Sequence, residues 1–363
     1  MSKLLNKIAT TYRNHGLGVV IKKIRIRIRY LYLRKRYFTR AEAERWKELK
    51  DKYKGKRVFL LGNGPSLNKT PLFYLKDEYT MCFNRFYIME ERLNWTPNFY
   101  MTVDNLVLDD LVKEVGKIID TSEYAFFPAI HFRGQKFITQ IPKMPKIYWV
   151  SQYFGKDFSL NLPRIYQGGS VIYEGFQVLQ HLGFDAIYVI GVDMSFKTHK
   201  TAESISKGNT DIISKDDDDP NHFDPRYFGK NRKYHQPEDF VIQNIMNSLD
   251  FLGANLEHYQ VNIINAGYDS KVESFPRVDF ESLFNFSDEE KQNLFSEMIA
   301  DKSDFDTVSA FIAASEKLSE KQEWKKTGHF YTDMYFGTKI IKETIFTHIP
   351  LGPYNNYYYF IKR

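Results

Sequence analysis

The sequence predicts an α/β fold with a doubly wound, mostly parallel, Rossmann-like sheet. Short apolar or aromatic runs bounded by Pro, Gly, Asn or Asp alternate with stretches of helical period along most of the chain. Strand, helix and strand at this spacing form right-handed parallel units, which place helices on both faces of a sheet. With 363 residues and 43% hydrophobic content, the chain can bury a large core, and the composition excludes disorder.

The first predicted strand, Arg57–Leu61, leads into the segment Val58–Asn68, which carries the strongest functional signal. Gly62-Asn63-Gly64-Pro65-Ser66 turns the chain at the carboxyl end of the strand, where open α/β sheets bind their ligands. The two glycines let the backbone approach a phosphate or a sugar, and Asn63 and Ser66 supply short polar side chains. We therefore predict a ligand loop, with a tight surface turn as the alternative.

Eight further elements follow the same pattern. The predicted strands are Thr80–Asn84, Asn98–Val103, Tyr124–Ala129, Lys146–Val150, Ala186–Gly191 and Val261–Asn265. The predicted helices are Gly169–Leu182, with Gly183 as its C-terminal cap, and Gln236–Tyr259, which breaks or ends near Gly253.

Polar residues recur where the predicted strands end. Asn84 follows the second strand, Asp104 follows the third, and Gly191-Val192-Asp193-Met194-Ser195 follows a later one. The carboxyl ends of parallel strands lie on one edge, so these residues can line one cleft. Taken alone, an Asn or Asp at a strand end is more often a turn or helix-cap residue than a ligand-binding one.

The segment Pro220–His235 is predicted to be a loop that closes over an anionic ligand. It contains two histidines, several cations and interleaved aromatic residues, and it lacks apolar periodicity. Histidine suits general base catalysis near neutral pH, and cations can hold a leaving phosphate. A basic surface loop is the alternative. The preceding run Asp216–Asp219 is expected to be a solvated loop, since four adjacent carboxylates cannot all face one metal ion.

The charge of the chain is concentrated at its beginning. Residues 1–57 hold 19 Lys or Arg against 4 Asp or Glu, while the remainder is acidic. In Lys22–Arg40 the cations interleave with Ile, Leu and Tyr, a combination that suits an anionic membrane surface. Nucleic acid and a solvated or docked segment are the alternatives, and nucleic acid is not favoured because these apolar residues are bulkier than phosphate contacts need.

We expect a cytoplasmic protein, peripheral on the inner face of the membrane. The single cysteine, Cys82, excludes an intramolecular disulfide and favours a reducing compartment. No run reaches the roughly 18 apolar residues of a membrane span. Three parts are predicted: a basic amphipathic segment at 1–56, a Rossmann-like domain at 57–286 with a lid at about 196–236, and a helical extension at 287–363. The extension is expected to contact a substrate, pack under the N-terminal segment or join two subunits.

Four blocks resemble the small bacterial sialyltransferases that use CMP-activated nonulosonic acids. They are Gly62–Leu67, Cys82–Tyr87, the helix start Gly169-Ser170-Val171 leading to Leu182-Gly183-Phe184, and Ile187–Asp193. With Asn221-His222-Phe223 and Phe275–Asp279, the same blocks also resemble the broader MptE-like family, which contains motility-associated flagellin glycosyltransferases and hydroxymethylpterin pyrophosphokinases.

The resemblance implies an inverting glycosyltransferase with a GT-A-like variant of the fold and no metal or other cofactor. His235 would be the base that deprotonates the acceptor, with His222 in reserve. The implied nucleotide and donor residues are Gly62, Asn63, Gly64, Ser66, Asn84, Asp104, Gly168, Gly169, Ser170, Gly191, Asp193 and Ser195. The sialyltransferases have tyrosines after the last aspartate, where this chain has Ser195-Phe196. The leaving phosphate would therefore be held by Ser195, Arg226, Tyr227, Lys230, Arg232 and Tyr234.

The expected substrates are a nucleotide-sugar, in particular a CMP donor, and a cell-surface glycan, glycolipid or protein acceptor. Two other functions stay open at this point. In a pyrophosphokinase the glycine loop would cradle ATP, and Asp104, Asp193 and the Asp216 run would take Mg²⁺. A nucleotide-sugar-binding scaffold without catalysis is the other, and homo-oligomers are compatible with all three functions.

Overall fold

A computed structural model of the chain describes most of the sequence. The described residues are 2–37, 40–90, 92–131, 134–197, 199–204, 211–235, 238–291, 293–294, 297, 344–351 and 354–361. Among them, no helix is both long and apolar enough to cross a lipid bilayer.

Thirteen strands are described, numbered in chain order. They are β1 (Arg57–Leu61), β2 (Tyr79–Phe83), β3 (Phe99–Met101), β4 (Tyr124–Pro128), β5 (Ile147–Tyr153), β6 (Arg164–Tyr166), β7 (Ala186–Ile190), β8 (Ala202–Ser204), β9 (Asp211–Ser214), β10 (Lys233–His235), β11 (Ile263–Asn265), β12 (Thr344–Leu351) and β13 (Tyr354–Ile361). Eight of them form one sheet in the order β11-β7-β1-β2-β3-β4-β5-β6. All seven pairings in this sheet are parallel, which confirms the predicted doubly wound, Rossmann-like α/β fold.

Seven α-helices are described. They are α1 (Ser2–Tyr37), α2 (Arg40–Leu49), α3 (Tyr87–Glu90), α4 (Asn105–Leu111), α5 (Val115–Ile118), α6 (Val171–Leu182) and α7 (Asp239–Gly253). Helix α1 consists of two helical segments, because Gly16 has non-helical dihedral angles of φ 79° and ψ 171°. Helix α6 ends at Gly183, whose left-handed conformation, with φ of 84°, is the predicted cap.

Side chains of β1 alternate between two cores, one on each face of the sheet. Phe59 and Leu61 lie in the core shared with α4 and α5, whereas Val58 and Leu60 lie in the core shared with α6 and α7. Trp46 of α2 is fully buried in the second core and donates from its indole nitrogen to the Trp149 carbonyl at 3.0 Å. A sheet covered on both faces is what parallel strands with apolar runs require.

The carboxyl ends of β1 and β7 meet in close backbone contact. Gly62 N donates to the Ile190 carbonyl and Gly64 N to the Gly191 carbonyl, each at 2.8 Å. A Cβ atom on Gly62 would lie 2.2 Å from the Gly191 oxygen, and Gly191 has a φ of +67°. Both positions therefore require glycine.

The strands predicted from the sequence are confirmed within one to three residues at their ends, but other parts differ. Strand β6 was not predicted, because three residues are too short for a period to show. The segment Pro220–His235, predicted to be a loop, contributes β10 to a three-stranded antiparallel sheet of order β10-β9-β8. Strands of three or four residues leave no visible apolar period, so the sequence pattern indicated a loop.

The prediction of a helical extension at 287–363 is wrong for Thr344–Leu351 and Tyr354–Ile361, which are strands. Strands β12 and β13 pair as an antiparallel hairpin, with Thr344 opposite Ile361 and Leu351 opposite Tyr354. Their β-branched and aromatic residues favour the pleated conformation over a helix. Residues 298–343 of the predicted extension lie outside the described residues, and the predicted domain boundaries at 56 and 286 stay predictions.

We expect Gly62→Ala to lower the free energy of unfolding by about 1–3 kcal/mol, because the new methyl group would overlap the Gly191 backbone. Gly116→Ala is the matched control, since a Cβ atom at Gly116 would meet no atom within 4 Å. Urea unfolding of both variants measures the difference. An equal loss in the two variants would contradict the close contact between β1 and β7.

Candidate functional site

A cavity of about 420 Å³ lies at the carboxyl edge of the sheet. Its walls come from the ends of β2 to β5, from the turn between β6 and α6, and from the strand β10. The polar side chains among its described lining are those of Asn84, Asp104, Asn105, His131, Gln152, Gln167, Ser170, Glu174, Tyr234 and His235. The volume is in the range of pockets that hold small molecules.

The turn before α6 is shaped by two glycines. Gly168 and Gly169 have positive φ angles of 55° and 84°, and a Cβ atom on Gly168 would lie 2.2 Å from the Tyr173 ring. Ser170 caps α6, because its hydroxyl oxygen accepts from Ile172 N at 3.3 Å. Gly169 and Ser170 line the cavity, so the amino-terminal end of a twelve-residue helix faces it. That end carries partial positive charge and attracts anions.

Gln177, about two helix turns after Ser170, fixes this turn to the sheet. Its amide nitrogen donates to the carbonyls of Tyr166 and Tyr173, at 2.8 and 3.1 Å. Its amide oxygen accepts from the backbone nitrogens of Ser159 and Tyr166, at 3.0 and 2.9 Å. All four bonds are buried, so the cavity wall formed by this turn is rigidly held.

Glu174 is a carboxyl group buried in the cavity wall. It is 2% exposed, and Gln152 Nε2 contacts its two oxygens at 2.9 and 3.0 Å. Burial raises the pKa of Glu174 well above its ordinary value, and the hydrogen bond from Gln152 only partly opposes the shift. Burial therefore favours the protonated form of this carboxyl group, which can donate a hydrogen bond.

Asn84 and Asp104 line the cavity and also have structural contacts. Asn84 has a φ of 54°, and its amide oxygen accepts from the Thr102 hydroxyl at 2.7 Å. Asp104 caps α4, since Oδ1 accepts from Leu106 N at 2.8 Å and Val107 N at 3.0 Å. The sequence left open whether Asp104 is a cap or a cleft residue, and it is both.

Strand β10 covers the cavity with Tyr234 and His235. Tyr234 is almost fully buried, stacks on His199 with ring centres 4.5 Å apart, and lies 3.2 Å from the Ser214 hydroxyl. Burial raises the pKa of Tyr234 to about 12, so its hydroxyl stays protonated. His235 is half-buried at the cavity wall, which is the position that a base acting on a bound hydroxyl group requires.

His222, the reserve base, belongs to a buried cluster around Asp219 and not to the described cavity lining. Its Nδ1 lies 2.7 Å from Asp219, and His199 Nε2 lies 3.3 Å from the same carboxylate. The His222 ring stacks on Tyr227 with ring centres 3.8 Å apart. Burial would raise the pKa of Asp219, but the charge of His222 and the histidine hydrogen bonds outweigh it and lower that pKa well below its usual range.

The glycine loop contacts its own chain. Asp193 is buried, and its Oδ2 accepts from Ser66 N at 2.9 Å while its Oδ1 accepts from the Ser66 hydroxyl. Burial raises the pKa of Asp193, and these two bonds oppose the shift. The carbonyl of Asn63 accepts from Phe223 N at 3.0 Å, so the loop anchors the lid.

The structure thus brings together only some of the predicted donor residues. The described lining of the cavity includes Asn84, Asp104, Gly169 and Ser170, and does not include Gly62, Asn63, Gly64, Ser66, Gly168, Gly191, Asp193 or Ser195. A role of these eight residues in binding a donor stays a prediction.

The lid cations form ion pairs outside the described cavity lining. Arg226 contacts Asp224 through two nitrogens at 2.9 and 3.0 Å, and Arg232 pairs with Asp110. Tyr227 is fully buried beneath His222, and Lys230 is exposed. Of the residues predicted to hold the leaving phosphate, only Tyr234 lines the cavity, because buried carboxylates such as Asp224 need the nearest cations as partners.

The sequence did not indicate four cavity residues: His131, Gln152, Gln167 and Glu174. Gln152 lies near the end of β5, beyond the predicted end of that strand at Val150. Gln167 directly follows β6, so the strand-end rule would have found it if β6 had been recognised. Glu174 carries no signal, since one acid within an amphipathic helix normally indicates a solvated face.

We expect Asp219→Asn to destabilise the protein by about 2 kcal/mol at pH 7, because two histidines lose their charged partner. The pKa of Asp219 is lowered on folding, so its contribution is complete above the unfolded pKa of about 4 and is lost as pH falls below it. Urea unfolding from pH 7 to pH 3 should therefore show the free energies of unfolding of the wild-type protein and of Asp219→Asn converging. Asp216→Asn, at an exposed residue of the same acidic run, is the control. A constant gap down to pH 3 would contradict the ion-pair origin.

Comparisons with known proteins address the family of the chain. The model of the family described as 6-hydroxymethylpterin diphosphokinase MptE-like matches residues 34–199. No curated protein matches the chain. A solved structure of the MAf glycosyltransferase from Magnetospirillum magneticum AMB-1 aligns with this chain with a TM-score of 0.38 and 14% sequence identity. The alignment covers 75% of this chain and 46% of that one, so this chain spans less than half the length of that structure. The four sequence blocks all lie within the matched residues, so the predicted resemblance to the MptE-like family is confirmed over residues 34–199, which are a little under half of the chain.

Proposed function

We propose that the protein is a glycosyltransferase that binds a nucleotide-sugar in the cavity and transfers the sugar, with inversion, to a glycan or glycolipid acceptor. One observation carries the proposal. A histidine on a lid strand, His235, shares one cavity with the amides and hydroxyl of Asn84, Gln152, Gln167 and Ser170. Sugars and ribose present many hydroxyl groups, and side chains of this kind can both donate to them and accept from them.

The end of α6 is the proposed position of the departing phosphate. Among the described residues that line the cavity none is Lys or Arg, so negative charge there depends on other donors. The backbone at Gly169 and Ser170 provides the positive end of a helix dipole, and the protonated Tyr234 hydroxyl provides a further donor. This arrangement supports phosphate binding by fixed dipoles and neutral donors.

In the proposed reaction His235 takes the proton of an acceptor hydroxyl group while that oxygen forms a bond to the anomeric carbon. The bond from the anomeric carbon to the phosphate oxygen breaks, and the nucleotide leaves with the electron pair. Burial favours the protonated form of Glu174, and in that form the carboxyl group donates a hydrogen bond to the departing phosphate. The sequence resemblance to sialyltransferases supports a CMP-activated nonulosonic acid as donor and a reaction without a metal ion.

An ATP-dependent diphosphokinase is the second candidate, and the family description favours it. In that case Asp104, Asp193 and the Asp216 run would hold Mg²⁺. Both oxygens of Asp193 accept from Ser66, and Oδ1 of Asp104 caps α4. These contacts compete with metal ligation, so the geometry supports the transferase better.

Nucleotide binding distinguishes the two functions. We expect CMP to raise the melting temperature equally with and without Mg²⁺, because the phosphate would contact dipoles and hydroxyl groups. Thermal shift with CMP, UDP, GDP and ATP, each with and without Mg²⁺, is the measurement. Stabilisation by ATP alone, dependent on Mg²⁺, would overturn the transferase in favour of the kinase. If the protein binds a glycan but turns over no nucleotide-sugar donor, the result would indicate a scaffold without catalysis.

We expect His235→Ala to lower turnover of a CMP-nonulosonate by about 10² to 10⁴ while nucleotide binding stays intact. His222→Ala is the comparison, because His222 supports the lid through Asp219 and lies outside the described cavity lining. Glu174→Gln keeps a hydrogen-bond donor and should lower turnover only about tenfold. The turnover of all three variants is measured as the release of CMP. Full turnover in His235→Ala, or a larger loss in His222→Ala, would remove His235 from its role.

A further inference from the structure

The second segment of α1, residues 17–37, has two apolar faces on opposite sides. One face packs on the protein: Tyr30 and Leu33 are buried with Ile130, and the Tyr30 hydroxyl donates to the Gln152 carbonyl at 2.5 Å. Arg34 lies over the Tyr153 ring at 4.2 Å, and Arg27 lies over the Phe154 ring at 5.1 Å. These contacts fix the rotation of the helix about its axis.

The other face is an exposed apolar stripe. It consists of Leu17, Ile21, Ile24, Ile28 and Leu31, which are between 40% and 62% exposed. Their spacing of four, three, four and three residues puts them in one row along the helix, about 21 Å long. Five large aliphatic side chains in a row are more than a solvated helix surface carries by chance.

The charges beside the stripe have one sign. Residues 17–37 contain eight Lys or Arg, and residues 1–41 contain no Asp or Glu. At 100° per residue, Arg25 and Arg27 lie about 40° beyond the two edges of the stripe, and Lys22, Lys23 and Arg29 lie further round the helix. The exposed aliphatic row is therefore bordered by a cation on each side, with more cations beyond them.

We propose that this stripe, with its flanking cations, is a docking surface for an anionic lipid bilayer, on which α1 lies in the plane of the headgroups. The aliphatic row fits the boundary between headgroups and acyl chains, and the cations fit the lipid phosphates. A second copy of the chain is a poorer occupant, because pairing two such faces would bring together cations without a single acid. Nucleic acid is also poorer, since phosphate contacts leave the aliphatic row exposed to water.

Co-sedimentation of the full chain with liposomes tests the proposal. We expect binding to phosphatidylcholine vesicles that contain about 30% phosphatidylglycerol, weak binding to phosphatidylcholine alone, and a loss of binding between about 0.1 and 1 M NaCl as the charges are screened. Ile24→Asp with Ile28→Asp should weaken binding about tenfold or more. Phe240→Asp is the matched control, because Phe240 is 68% exposed on α7. All substituted residues are exposed, so unchanged melting temperatures will show that the variants fold.

Three results would overturn the proposal. The first is equal binding of the stripe variant and the control, and the second is indifference to lipid charge. The third is a dimer in light scattering that the stripe variant dissociates, without any binding to vesicles, because that result would assign the stripe to a second copy of the chain.

Discussion

The close contact between the backbones after β1 and β7 is the constraint on which the rest of the site depends. Because Gly62 and Gly191 have no side chains, the two strand ends approach until Ser66 bonds both oxygens of Asp193. The loop so fixed holds the lid, since the Asn63 carbonyl and the Asn68 amide bond the backbone of Phe223. The same lid segment continues to β10, which brings Tyr234 and His235 to the cavity. The glycine motif thus contributes to the cavity at a distance, by fixing the segment that covers it.

None of the described residues that line the cavity is Lys or Arg, so negative charge in the cavity must be stabilised by other groups. Arg226 pairs with the buried Asp224 within the lid, and Arg232 pairs with the exposed Asp110 of α4. What faces the cavity is the end of α6, neutral amides, hydroxyl groups and the buried carboxyl group of Glu174. Away from water such dipoles act strongly, because the low local dielectric constant does not screen them. A phosphate can therefore be stabilised there by fixed dipoles while the lid cations keep their structural partners.

The sequence predicted what depends on local pattern and missed what depends on packing. Strand β1 was predicted at its observed ends, because an apolar run between charged and glycine residues has few alternatives. The cap at Gly183 was predicted for a similar reason. The contact of Ser66 with Asp193 spans 127 positions and could not be found without the strand order. Glu174 was missed because its burial comes from Gln152 on a different strand. The N-terminal segment was interpreted as a single amphipathic surface. The sequence pattern does not show that α1 has two apolar faces, or that one of them packs on the protein.

Gln152 contacts both helix α1, which carries the exposed stripe, and the wall of the cavity. The Gln152 carbonyl accepts from Tyr30 on the docked face of α1, and the Gln152 side chain contacts Glu174 in the cavity wall. Burial raises the pKa of Tyr30 to about 12, so its hydroxyl group keeps the proton that it donates near neutral pH. The stripe lies on the opposite side of the same helix, and a helix with its side chains is about 10–12 Å across. At Tyr30 the stripe is therefore about one helix diameter from the Gln152 carbonyl, so a surface that binds the stripe there lies on the opposite side of α1 from a residue that lines the cavity.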